Sequence, residues 1–385
     1  MKWIAWLLAG GAMMIPVLGS GCAGGKLPLL YVGKYNDRGG AGFQVVELDP
    51  GAGLFRLAAE VEAGANPSYF CIDGEQGLIH AINEVDELRG QKTGGITTLA
   101  LDAASGALRR TGEMAVPNGG PCYISRMPAG DYLLVANYGG GSVAVVRLDA
   151  RGMPAAVTDT LVFQGVSGRT PRAHMIAPGP DGNRIYLTDL GLDRIMIYEL
   201  DRTAGKLQSV NNGEVALAKG AGPRHFTFSK DGSTLYVINE RNSTVTVFAV
   251  DAEGLLEEIQ SLSTLPEGFS GTSYCADLHL GKSGRFLYGT NRGHNSIVTF
   301  RVVGNGRLEL AGHTPCGGDW PRNFVIDPSG RYLVVANQRS HNLALFAIDS
   351  KSGLPLLLTA AFTTTSPACL KFALRPGESA GGVQY

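Results

Sequence analysis

The sequence predicts an all-β protein, a seven-bladed β-propeller with four-stranded blades. Three observations carry that prediction. A strand motif recurs at a near-constant interval, glycine is abundant, and the first and last copies of the motif are offset so that the chain ends can pair. "LLYVGKYNDRGGAGFQVVELD" ends at Asp49, and later copies end at Asp102, Asp149, Asp201, Asp251 and Asp349. One more copy, "FLYGTNRGHNSIVTFRV", ends near Val303 without the Asp. From Asp49 to Asp349 there are six intervals averaging 50 residues. A repeat of about 40–50 residues holding about four strands marks a propeller. The 54 glycines among 385 residues are about twice the ordinary share and fit many tight turns.

Each copy resolves into the same four strands. The first follows a Pro or its equivalent: "NPSYFCID", "GPCYISR", "PRAHMIAP", "PRHFTFS", "SYCADLHL", "WPRNFVID" and "SPACLKFAL". A "DG" or "SG" turn leads to the second strand. The third ends at the repeated Asp, and a more polar fourth strand such as "LLEEIQSLST" closes the unit. The mature chain opens on a second strand, Leu29 to Tyr35, and its last first strand, Pro367 to Leu374, has no hairpin after it. Pairing the two completes one blade from both ends and removes the exposed edges of an open sheet. The expected organisation is one propeller domain over 27–376 and a short tail at 377–385.

The segment 1–22 stands apart. Lys2, an apolar run from Trp3 to Leu18 and then small residues make a secretory signal pattern. The run is short and broken by glycine for a membrane span, although an uncleaved signal anchor stays open as the alternative. Cys22 follows Leu18-Gly19-Ser20-Gly21, which resembles a bacterial lipoprotein cleavage box with Leu one place early. The expectation is an exported protein, periplasmic or tethered through a lipid on Cys22, and cytoplasmic if the signal is unused. Cys71, Cys122, Cys275 and Cys369 lie in the apolar first strands, which fits buried thiols better than disulfides; Cys316 falls in a loop. A formal net charge of −1 gives no electrostatic reason to expect nucleic acid.

Strand order predicts where polar residues meet. First and second strands are antiparallel neighbours, and first strands line the central channel. The start of one and the end of the other therefore share a rim. Arg224 opens a first strand and Glu240 ends the adjoining second strand. The same logic brings His174, Arg292, Arg322 and Asn323 to that rim, with Asn66, Asn137, Asn239, Asn291 and Asn337. Asparagine at a strand end is also ordinary turn chemistry. The four unlike ionisable groups His174, Arg224, Glu240 and Arg292 point more firmly to a site.

The blocks "GPRHFTFSKDGSTLYVINE", "CADLHLGKSGRFLYGTNRGHNSI" and "WPRNFVIDPSGRYLVVANQRSHNLALFAID", with "NPSYF" and "VANYGGGSV" upstream, resemble the seven-bladed propeller lactonases. That family includes propeller-type 6-phosphogluconolactonase and the fungal carboxy-muconate cyclase. The resemblance implies a catalytic set of His174, Arg224, Glu240 and Arg292, and it adds His225, Asp277, His279 and Arg322 as substrate-binding candidates beside Asn66, Asn137 and Asn323. One departure is Arg172 in "TPRAH", where relatives often carry another His. Another is the export signal, since the phosphorylated lactone of that family is cytosolic.

A lactone is a cyclic ester, so its hydrolysis needs an activated water and stabilisation of the carbonyl oxygen. Glu240 or His174 is placed to take the water's proton, a role worth about 10²–10⁴ in rate. Arg224 and Arg292 suit the oxyanion, or a carboxylate or phosphate gripped by forked hydrogen bonds. Glu240 beside arginines is expected ionised, which makes His174 the better proton shuttle near neutral pH. No G-x-S-x-G elbow is present, and "YGGGSV" is a hairpin turn without a following helix. The rim offers one clear carboxylate, a poor oxygen cage for calcium, so neither metal nor cofactor is expected. A non-catalytic exported propeller that binds a ligand or scaffolds a complex, or a muconate-type cycloisomerase, is the alternative.

Overall fold

The computed structural model describes residues 27–37, 39–102 and 107–373; the signal segment with Cys22 and the tail at 377–385 lie outside the described residues. Seven antiparallel sheets of four strands each make up the fold. In six of them the strands follow chain order from the inside out. Blade 1 differs: Leu29–Lys34, Phe43–Asp49 and Leu54–Val61 receive Pro367–Phe372 as their inner strand. Leu30 lies opposite Phe372, Val32 opposite Leu370 and Lys34 opposite Pro367. The ring is thus closed by its two ends, as the offset copies predict. Both ends leave at one rim, where Leu30 meets Phe372, while the opposite rim is the one where the inner strands begin.

The repeated residues acquire physical reasons. The aspartates that end third strands bond to the backbone of the next turn. Asp149 Oδ1 accepts from the Arg151 and Met153 amides, Asp201 Oδ1 from Thr203 and Ala204, and Asp349 Oδ1 from Lys351 and Ser352. An Asx bond of this kind fixes the entry to the outer strand. Several asparagines near the ends of second strands act as staples between blades, while Asn239 bonds within its own blade to Thr244 and Thr246. Asn83 donates to the carbonyls of Ala63 and Ala65, Asn291 to that of Thr264 and Asn337 to that of Cys316, each in the connection from the preceding blade.

Second strands such as Tyr132–Asn137 are buried along their whole length, because both faces pack against neighbouring blades. Outer strands such as Leu54–Val61 are largely exposed, so their polarity follows. Cys71, Cys122, Cys275 and Cys369 are buried free thiols as expected, and the loop residue Cys316 is buried too. No helix among the described residues is long and apolar enough to cross a membrane.

One feature was not visible in the repeat. The inner strands slip register against their second strands near the start: between Pro121 and Tyr123, Ala173 and Met175, Pro223 and His225, Cys275 and Leu278, and Pro321 and Asn323. A bulge leaves a residue out of the ladder and re-aims its side chain. The residues left out are Cys122, His174, Arg224, Ala276 with Asp277, and Arg322. Four of the candidate site residues, His174, Arg224, Asp277 and Arg322, therefore sit at the same local irregularity.

Candidate active site in the channel mouth

The bulged residues and the ends of the second strands meet at one rim. Arg224, from the inner strand Pro223–Phe228, places Nε 3.1 Å from Glu240 Oε2. Arg292, the last residue of the second strand Phe286–Arg292, donates from Nη2 to the same oxygen at 2.6 Å. Backbone carbonyls hold both guanidiniums in place: Ala276 for Arg224, and Tyr274 and Cys275 for Arg292. Gly293 follows Arg292 at φ 99°, and a Cβ there would lie 2.3 Å from the Thr272 carbonyl oxygen. The turn that presents Arg292 thus requires glycine. Arg224 Nη2, Arg292 Nη1 and Glu240 Oε1 have no partner among the described residues.

The electrostatics follow from this geometry. Burial favours protonated Glu240, but Arg292 and Arg224 outweigh it and hold the carboxyl below its usual range. Glu240 is ionised, as expected from its neighbours. Burial pulls the Arg292 guanidinium down to about 10 against the opposing pull of Glu240, so it stays charged at neutral pH.

His174 departs from expectation. It is buried, its Nδ1 has no hydrogen-bond partner among the described residues, and its ring meets that of His225 edge-on at 5.2 Å. Burial, then Arg224, His225, Arg322 and Arg292, push its pKa well below the ordinary value. It stays neutral through the physiological range and does not shuttle protons by titrating near pH 7.

Beneath this layer the channel is filled. Tyr69 and Tyr123 stack at 4.3 Å, and both meet the His225 ring edge-on. His225 Nδ1 donates to Asp277 Oδ1 at 2.7 Å, and His279 Nε2 and the Asn323 amide donate to Oδ2. The Leu278 and Phe324 amides complete five bonds to this one carboxylate. Burial opposes its ionisation, but His279 and His225 hold Asp277 well below the usual range. His225, Asp277, His279 and Asn323 therefore form a braced floor under the mouth. Of these, His279 is the most exposed, at 24% of its side chain. Arg322 sits in the mouth itself, with its Nη2 on the Tyr35 hydroxyl at 2.6 Å.

Two candidates do not serve the mouth. Asn137 is fully buried and donates to the Pro117 carbonyl and the Ser142 hydroxyl, so it is a blade staple. Asn66, at φ 47°, exchanges hydrogen bonds with Asn36 and donates to Asp37 and the Glu84 carbonyl. Turn chemistry explains Asn66. Arg172 crosses the Tyr138 ring at 5.1 Å and holds the Tyr138 and Gly139 carbonyls, bracing the rim.

The sequence reading missed Glu84, Tyr35 and Ser68. Glu84 was legible in principle, since "INE" occurs at Ile82–Glu84 and again at Ile238–Glu240. No group of three or more His, Cys, Asp or Glu that could hold a metal ion occurs among the described residues. A separate hollow at Arg169, Asp193, Arg194 and Glu214 has these charges paired with one another.

The neutral histidines set an acid limit on stability. Burial lowers His80 and His225 to about 4, and it also holds His174 well below its ordinary value. Unfolding frees each to take a proton below about pH 6.5. Their contribution is complete above pH 6.5 and is lost as pH falls toward 4, at up to about 1.4 kcal/mol per pH unit for each. The urea midpoint is expected to fall clearly between pH 7.5 and pH 5.0. A flat profile over that interval would mean that these imidazoles are not held neutral in the fold.

A family model described as "Lactonase, 7-bladed beta-propeller" matches residues 29–372. The chain is 31% identical over 351 residues to a 6-phosphogluconolactonase of Bacillus subtilis, covering 89% of this chain and 97% of that protein. A 6-phosphogluconolactonase of Formosa agariphila is also 31% identical, over 84% of this chain and 93% of its own. Among solved structures, a periplasmic gluconolactonase of Pseudomonas aeruginosa superposes with a TM-score of 0.85 at 32% identity, covering 91% of this chain and 99% of that one. The chain belongs to the seven-bladed β-propeller lactonase family.

Proposed function

We propose that this lactonase hydrolyses a sugar lactone outside the cytoplasm, without a metal, using Glu240 as the base. One observation carries the assignment of the base: two guanidiniums clamp Glu240 Oε2 and leave Oε1 open in the mouth. Water adds to the lactone carbonyl as Oε1 takes its proton. The oxyanion so formed meets the uncommitted N–H groups of Arg224 and Arg292, held in place before the reaction. When the ring C–O bond breaks, the carboxyl returns the proton to the leaving alkoxide, and the new hydroxy acid ionises to solvent. His174, neutral throughout, serves as a hydrogen-bond partner at the reacting ester.

Export is supported by the signal pattern over 1–22 and by the relative named a periplasmic gluconolactonase. Cys22 is the proposed lipid attachment. The relatives named 6-phosphogluconolactonase keep a phosphorylated substrate as the second reading.

The test is acid release from glucono-δ-lactone and from its 6-phosphate, with protein lacking residues 1–22, with and without chelator. Turnover unaffected by chelator is expected, and the ratio of the two rates separates the readings. Arg292→Lys and His174→Asn are expected to lower kcat/KM by about 10²–10³, the loss typical of an oxyanion donor. Wild-type rates in both, or loss of activity on chelation, would overturn the mechanism.

A further inference from the structure

The mouth has a second carboxylate that this mechanism leaves unused. Glu84 follows the second strand Leu78–Asn83 as Glu240 follows Thr234–Asn239, so the same strand-end step delivers both. They come from blades 2 and 5 of a ring of seven and so stand on opposite walls.

Their surroundings differ. Glu84 Oε2 accepts hydrogen bonds from the Tyr35 hydroxyl, at 2.7 Å, and from the Ser68 hydroxyl. Arg322 Nη2 lies 3.9 Å from the same oxygen and donates to Tyr35, with its guanidinium 5.1 Å from the Tyr35 ring centre. Glu84 Oε1 and Arg322 Nε and Nη1 have no partner among the described residues. The two side chains remain 23% and 17% exposed. Arg322 therefore offers donors beside Glu84, as Arg224 Nη2 and Arg292 Nη1 do beside Glu240.

An open carboxylate oxygen beside open guanidinium N–H groups suits one ligand chemistry. A hydroxyl can donate to the first while a neighbouring hydroxyl accepts from the second. An anion would meet the Glu84 charge, and an unsubstituted ring would leave both groups without partners. We propose that Glu84 and Arg322, braced by Tyr35, form a polyol-recognition arm that holds the substrate's hydroxyl groups while its carbonyl lies at Glu240. The inference rests on the lactonase reading and adds the residues that select a hydroxylated lactone over a plain one. A site built to bond hydroxyls discriminates strongly against a ligand that lacks them, because its own polar groups are then left unpaired.

The experiment compares kcat/KM on glucono-δ-lactone and on δ-valerolactone, which share a ring size and differ in hydroxyls. Wild type is expected to favour the first. Glu84→Gln is expected to shrink that preference by about 10–100-fold, mainly through KM on the hydroxylated lactone, as fits the loss of hydrogen bonds to a charged group. Tyr35→Phe is expected to act in the same direction, more weakly. An equal loss on both lactones, or an unchanged preference with only a lower Tm, would overturn the arm and leave Glu84 as a structural clasp between blades. A wild type that turns over neither of these lactones nor the 6-phosphate of the first would overturn the lactonase reading, and the arm with it.

Discussion

Glu240→Gln is expected to lower kcat for lactone hydrolysis by about 10²–10⁴, the range for loss of a positioned base. That is about 3–5 kcal/mol of transition-state stabilisation. The amide keeps the shape of the side chain but cannot accept the water's proton. It also leaves Arg224 and Arg292 facing each other without the carboxylate that each now contacts. Some fall in Tm should therefore accompany the loss, since a buried charge pair is broken from one side. The measurement is initial acid release at saturating lactone, with Tm recorded in parallel. A kcat within threefold of wild type removes Glu240 as the base, whatever happens to KM.

Ending the chain after residue 366 is expected to abolish cooperative folding. The missing strand is the inner strand of blade 1. Its Leu370 and Phe372 are each 2% exposed, and Cys369 is fully buried. Burying a large apolar side chain contributes about 1.5–3 kcal/mol. Each ladder hydrogen bond adds a net 0.5–1.5 kcal/mol or so, and the strand pairs with the first at five positions. The sum approaches the ~5–15 kcal/mol stability of a whole domain. The truncation also strips the Leu370 amide from the Asn323 side chain, which braces Asp277. Expression in the soluble fraction and a calorimetric melt decide the matter. A soluble truncation with one sharp transition and wild-type activity would show that the ring does not need its seventh closure.

The fold was legible because the repeat is physical at every level. The terminal Asp bonds the next turn, the strand-end Asn staples the preceding blade, and the offset copies at the two ends can satisfy each other only by pairing. The meeting of Arg224, Glu240 and Arg292 was legible for the same reason, since antiparallel neighbours bring a strand start and a strand end together. What the sequence hid was set by three-dimensional detail. A bulge is a one-residue slip that leaves no mark in the apolar pattern, yet it aims His174, Arg224 and Arg322. The neutrality of His174 depends first on its burial and then on the arginines that reach it from other blades. Asn66 and Asn137 looked like site residues because turn asparagines and ligand-binding asparagines are the same residue type at the same strand end. Glu84 carries the same "INE" as Glu240, but a repeated motif in a repeat protein reads first as architecture.

Both chain ends emerge at the rim where Leu30 meets Phe372, the back of the ring relative to Glu240. The described chain thus enters and leaves on the same side of the ring. With the lipid proposed for Cys22 in place, the domain would begin on the face turned away from its opening. A tether on that side would leave the opening clear to the surrounding fluid.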